Sequence, residues 1–445
     1  MRLQNFAFLG LISIALASAC GNNVETGQSS GTAGAGGEHT TTSATTGTEA
    51  TTATSSVSTS SSSSGSTMYP APHPPPPQVI SGGGPVLASP RIVPIFFSND
   101  DPTEEGQIQD FVAQVGATSY WTAAVSEYGV GPATAVPPVE LAETATGMLT
   151  DADVQNWLAA KLNADLLPAP DANTVYVIHY PSGVTIVEQD PALGGTIESC
   201  QTFGGYHESI TLDANHDGMP VAFAVIPRCQ SFGDLLGIDA ITGAESHELV
   251  EASTDPYPET TPAWVETDEL HLYWDLAVGG GEVGDMCAQD PEAFTKFAGF
   301  PYTVQRIWSN KAALAGQDPC VPALPGEVYF NAAPVMNDTL DLSIEGQSID
   351  LTGVSIPVGG TKTIAVDLFS DGPTGPFEVE AQDYNALMGM PANLDLSLDN
   401  SVGVNGQTLN LTINVKSSGQ YGVELFFLIV TQGQTSHFWV GDVGN

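Results

Sequence analysis

Positive charge is the scarcest thing in this 445-residue chain, in which 9 Lys and Arg stand against 51 Asp and Glu for a formal net charge of −42. A surface of that sign repels nucleic acid and anionic lipid headgroups, so neither is an expected partner. Cysteine is sparse too, at five residues. With no close Cys-x-x-Cys pair among them, a zinc tetrathiolate is not expected. No apolar run reaches the roughly 18–20 residues that a transmembrane helix needs. What the chain has in plenty is small and polar. From Asn22 to Thr67 it is Ser, Thr, Gly and Ala with hardly a large side chain, passing into Tyr69-Pro-Ala-Pro-His-Pro-Pro-Pro-Pro77. Such a stretch cannot bury enough surface to offset its ordering entropy.

The organisation follows from these contrasts. Met1-Arg2 leads an apolar run from Phe6 to Ala19 that ends in small residues before Cys20. This reads as a signal peptide over 1–19, with Cys20 the lipidated first residue of the mature chain. Residues 20–79 read as that cysteine plus a disordered tether with a stiffer polyproline end, in which His39 and His73 are incidental. Two folded domains are expected, at 80–322 and 326–445. The membrane is reached only through the lipid, and stable anchoring needs more than one acyl chain. The expected location is the outer membrane or cell surface of a bacterium.

In the first domain, Arg91–Phe97 reads as a strand, with Pro94 arguing for an edge or a bulge. Helices are expected after Asp101-Pro102 and after Thr150-Asp151, each opened by acids. Thr174–Tyr180 is a buried strand in which His179 is a packed core residue. Ile210–Leu212 and Val221–Ile226 form a hairpin. Its turn, Asp213 to Gly218, imitates half a calcium loop but carries Ala224 where the twelfth-position acid belongs, so a turn is preferred and calcium is the weaker cofactor expectation. Asp268–Asp275 alternates like a short strand with His271 turned outward.

The chemistry gathers in Glu245-Ser-His-Glu-Leu-Val-Glu-Ala-Ser-Thr-Asp-Pro256. On a helix, His247 and Glu251 lie on one face and grip one ion, with Glu248 beside them as general base. This is the zincin pattern H-E-x-x-H with its second His replaced by Glu. Zinc is the expected metal, although a carboxylate ligand widens the choice. Two protein ligands rarely hold zinc, so a third is needed: Glu282 or Asp285, from the acidic run after Gly279-Gly280-Gly281, or Asp255, where Pro256 should end the helix. His207, after Gly204-Gly205-Tyr206, is a candidate catalytic residue that orients substrate or stands beside the metal. As a bare pattern, His-Glu-x-x-Glu also fits the polar face of a surface helix.

Ser246 to Pro256, followed by Ala263-Trp264 and Glu282-Val-Gly-Asp-Met-Cys287, resembles the phosphate-induced protein 1 family, whose plant members are the EXORDIUM proteins. Gly84–Phe97, Tyr120-Trp121 with Glu127–Gly131, and Gly204–His207 through Ile226–Cys229 fit the same order, so the resemblance spans about 80–322. It implies an extracytoplasmic α+β domain with a zincin-like look, and it does not of itself imply proteolysis.

Four cysteines remain after Cys20, which in an exported chain suggests two disulfides with three pairings open. Grouping along the chain favours Cys200–Cys229 and Cys287–Cys320. Beyond Pro325, period-two runs such as Leu340–Ile344, Thr363–Phe369, Leu394–Leu398, Leu409–Val415 and Tyr421–Phe427 predict an all-β sandwich of immunoglobulin-like type, a spacer or binding module in which His437 stands alone. Two functions fit the whole. One is metal-dependent hydrolysis, peptidase-like, with a peptide as substrate; the other is a non-catalytic surface module binding a cell-wall polymer or partner.

Overall fold

The computed structural model describes residues 66–190, 195–344, 347–419 and 422–444. The expected signal peptide, Cys20, His39 and the tether up to residue 65 lie outside the described residues. The first module is built on a mixed sheet. Arg91–Phe96, Thr174–Tyr180 and Pro220–Pro227 run parallel, and Tyr206–Thr211 closes the far edge antiparallel to Pro220–Pro227. Thr174–Tyr180 is buried along its whole length, as a strand covered on both faces must be. The expected hairpin is thus present.

Pro94 is not on an edge. Arg91–Phe96 has Thr174–Tyr180 on one side and two short strands on the other, which pair with Arg91-Ile92 and with Ile95-Phe96 and leave out Pro94. The missing N–H is accommodated by splitting the neighbour. The helix Pro102–Val115 starts where expected, with the Asp101 carboxylate accepting from the Thr103 and Glu104 amides. Asp151–Asn163 is opened by a capping box between Thr150 and Asp153. Asp268–Asp275 departs from expectation: a 3-10 turn over Glu269–His271 leads into the helix Tyr273–Val278. His271 Nδ1 reaches back to Asp268 at 2.8 Å, and Gly279 ends the helix at φ 94°. Alternating Leu270, Leu272 and Trp274 suited a strand, but these local bonds suit a turn better.

Both disulfides follow the grouping along the chain, Cys200–Cys229 and Cys287–Cys320. They fit an oxidising compartment. Among the described residues no helix is long and apolar enough to cross a membrane.

The second module is a β-sandwich. One sheet has four strands, in the order Phe330–Pro334, Thr361–Ser370, Thr408–Val415, Leu394–Leu398; the other has six, with Thr435–Gly444 and Val423–Gln432 at its centre. Alternate residues such as Leu409, Leu411 and Ile413 fill the space between the sheets.

Residues 66–79 correct the tether. They run as an ordered strap across both modules. Asn405 of the sandwich donates to the Ser66 and Met68 carbonyls and accepts from the Ala71 amide, and His73 stacks on Phe369 with centroids 3.8 Å apart. At the other end Val79 pairs with Thr267 and exchanges two hydrogen bonds with the Asn310 side chain. Proline loses little entropy on ordering, so a few such contacts suffice to seat the strap. His73 is therefore a packing residue.

Candidate metal centre

The site helix runs Ile238–Thr254 and is no surface helix. From Ala240 on, every residue but Ala244 is buried, the acids Glu245, Glu248 and Glu251 included. It packs on the strands Tyr206–Thr211 and Pro220–Pro227, which brings His207 up to it from the sheet edge. The loop after Gly279 delivers Glu282 and Asp285 from the other side. Six side chains meet: His207, His247, Glu248, Glu251, Glu282 and Asp285, each between 2% and 8% exposed. The cluster is nearly closed, and its residual exposure is greatest on Asp285, His207 and His247.

Glu251 is the hub. Its Oε1 accepts the amides of Gly284 and Asp285 at 3.0 and 3.1 Å. Its Oε2 is left to the imidazoles, 2.9 Å from His247 Nε2 and 3.7 Å from His207 Nδ1. Asp285 Oδ1 stands 3.7 Å from His247 Nε2 and Glu248 Oε1 4.0 Å from it. The other oxygen of Glu248 faces His207 Nδ1 at 3.5 Å. Glu282 meets only the far nitrogen of His207, at 3.5 Å. Of the two acids expected to complete the shell, Asp285 therefore faces the helix ligands and Glu282 stands behind His207. Asp255 ends the helix as expected, but one of its oxygens accepts the Ala263 amide, and it lies outside both groups of converging donors.

Glycines make this approach sterically feasible. A Cβ on Gly284 would come within 2.6 Å of Glu251 Oε1 and 2.7 Å of His247 Nδ1, and one on Gly205 within 2.9 Å of Glu248 Cγ. Gly280 likewise yields its place to the Asp285 carboxylate. The acidic Gly-rich run in the sequence is thus a cradle.

Gln305 was not foreseen. Its Nε2 donates to the Gly284 carbonyl at 2.7 Å, so its Oε1 is the acceptor for His247 Nδ1–H at 3.1 Å. That bond shows a proton on Nδ1 and turns Nε2 toward the carboxylates, the arrangement of a metal-ligating histidine with its outer partner. Gln305 is itself placed by its amide on Ser246 Oγ at 2.8 Å. A lone glutamine some sixty positions along the chain carries no local pattern, and only the fold reveals it.

The electrostatics are those of a cation site. Burial pushes the Asp285 carboxyl up to about 8, with the Glu251 charge adding to it, and burial lifts Glu282 well above the carboxylate range despite His207. Burial alone would depress His247 and His207; the surrounding carboxylates outweigh it, and both imidazoles are raised well above their ordinary value. Glu251 stays low despite its burial because His247 faces it. A divalent cation replaces such protons at a site of this kind. Two triads of donor atoms, His247–Glu251–Asp285 and His207–Glu248–Glu251, lie within ligating reach. The residues present fit a metal.

The other candidates are elsewhere. His179 is a core residue, between the Ile95 carbonyl and Glu245 Oε1 at 3.0 Å and stacked on Phe96. The Asp213 turn is closed by its own side chain, which accepts from the Asn215 amide and meets His216 Nδ1 at 3.0 Å. His437 is not alone: its Nδ1 meets Asp290 of the first module at 3.2 Å.

No family model matches the chain, and no curated protein matches it. Among solved structures, a chimeric titin Z1Z2 functionalized with a KLER exogenous peptide from decorin is 15% identical, over 26% of this chain and 95% of that one. Its TM-score of 0.15 is too low to support any argument.

Proposed function

We propose that this protein is an exported, lipid-anchored metal-dependent hydrolase of peptidase type, distantly akin to the phosphate-induced protein 1 (EXORDIUM) family. His247, Glu251 and Asp285 would hold the cation, zinc being the first candidate. The observation that carries this reading is the convergence of His247 Nε2, Glu251 Oε2 and Asp285 Oδ1, with His247 held from behind at Nδ1 by Gln305. When bound, the cation would supply Lewis acidity to the reaction. Glu248 Oε1 lies on the same side and takes up the proton of the attacking water. His207 stands beside the metal position, facing Glu248 and Glu251 with Nδ1. The zincin likeness is proposed for the helix motif alone.

Near-closure of the cluster favours the second reading, a metal-stabilised surface module that binds a cell-wall polymer without cleaving it. Glu248→Gln separates the two. The amide keeps the shape but accepts no proton, so hydrolysis of a mixed peptide library should fall about 10²–10⁴-fold. The cation on His247, Glu251 and Asp285 should remain by elemental analysis. If the parent cleaves nothing while holding its cation, the binding module stands.

A further inference from the structure

The donors do not form one shell. They form two triads joined at Glu251, with His247 in one and His207 in the other. The two imidazoles mirror each other. His247 is held at Nδ1 by Gln305 and offers Nε2; His207 faces Glu282 with Nε2 and turns Nδ1 toward Glu248 and Glu251. His207 Nε2 and Glu282 Oε1 are both buried, and neither has a hydrogen-bond partner among the described residues. A cation on Nδ1 would place the ring proton on Nε2, where it can be given to Glu282, the carboxylate–histidine–metal relation.

We propose that the cluster binds two divalent transition cations, with Glu251 Oε2 shared between them. His247 and Asp285 complete one position; His207 and Glu248 Oε2 complete the other. The inference rests on the reading of this cluster as a metal centre and changes its stoichiometry. Charge supports it independently. Glu248, Glu251, Glu282 and Asp285 bring four carboxyl groups into a nearly closed site. One divalent cation can balance only two of them once ionised, leaving the others to keep their protons or stand as unpaired buried charges. Two cations balance all four with both imidazoles neutral, the form in which they ligate. Four carboxylates with two histidines is also the inventory of carboxylate-bridged di-iron and di-manganese centres. Cations in two-metal sites stand about 3.5–4 Å apart. The oxygen-rich set suits Mn²⁺ or Fe²⁺ as well as zinc. Glu248 Oε1, still facing the first position, keeps its place beside the water.

Equilibrium dialysis of the mature chain against Mn²⁺, with total metal counted by mass spectrometry, tests this. The expected result is two cations per chain, one in His207→Gln, one in Asp285→Asn and none in Glu251→Gln. Should a variant fail to fold, the parent decides alone: its bound Mn²⁺ should give the broadened electron-paramagnetic signal of a coupled pair. One cation per chain with an isolated six-line signal overturns the pair and leaves the one-cation centre intact. No stoichiometric metal overturns both.

Discussion

The two modules bury different things. In the sandwich, burial follows polarity: Thr408–Val415 alternates strictly between buried aliphatics and more accessible Thr and Asn. On the site helix it does not, and glutamates, serines and a histidine are as buried as the leucine and valine beside them. Burying an acid costs free energy unless something pairs with it. A module that alternates cleanly has its side chains assigned by the core alone. One that packs four acids and two imidazoles together calls for a reason beyond stability, and the metal centre proposed above would supply it.

If this division is right, Leu411→Ala, at a wholly buried position of the Thr408–Val415 strand, should cost about 2–5 kcal/mol of sandwich stability. Metal content should not change. Calorimetry with elemental analysis checks both; a fall in metal content would mean that the modules are not energetically separate.

Asp442 is one of the sandwich's exceptions. It is buried in the last strand, neither oxygen has a hydrogen-bond partner among the described residues, and burial raises it well above the carboxylate range. The sign follows: the folded chain keeps a proton that the unfolded chain gives up near pH 4, so stability falls as pH rises from there toward the folded pKa. Asp442→Asn should remove that slope and stabilise the protein by about 1–3 kcal/mol at neutral pH. Denaturant titration from pH 4 to 8 measures it. An unchanged slope would show that water or an undescribed partner reaches the carboxylate.

The smallest effect belongs to the strap. His73→Ala removes the stack on Phe369 and should cost about 0.5–1.5 kcal/mol, read as a small fall in thermal midpoint. No fall would return residues 66–79 to the role of a passive tether.

Much of this protein was determined locally. The helix starts at Asp101 and Thr150, the Asp213 turn, the alternating sandwich strands and the spacing of His247 and Glu251 on one helix face depend on neighbours a few residues apart, so the sequence carries them openly. The pairing of cysteines followed chain order. What only the tertiary structure decided are the long-range meetings. His207 crosses from a sheet edge to Glu248 and Glu251, and Asp285, not Glu282, turns toward His247. Gln305 holds His247 Nδ1 from 58 residues away, and a proline-rich stretch expected to be loose is seated on Asn405 and Phe369. None of these has a periodicity or a motif. Each depends on which surfaces the packing brings together, and an isolated residue type does not encode the partner that will satisfy its lone pair.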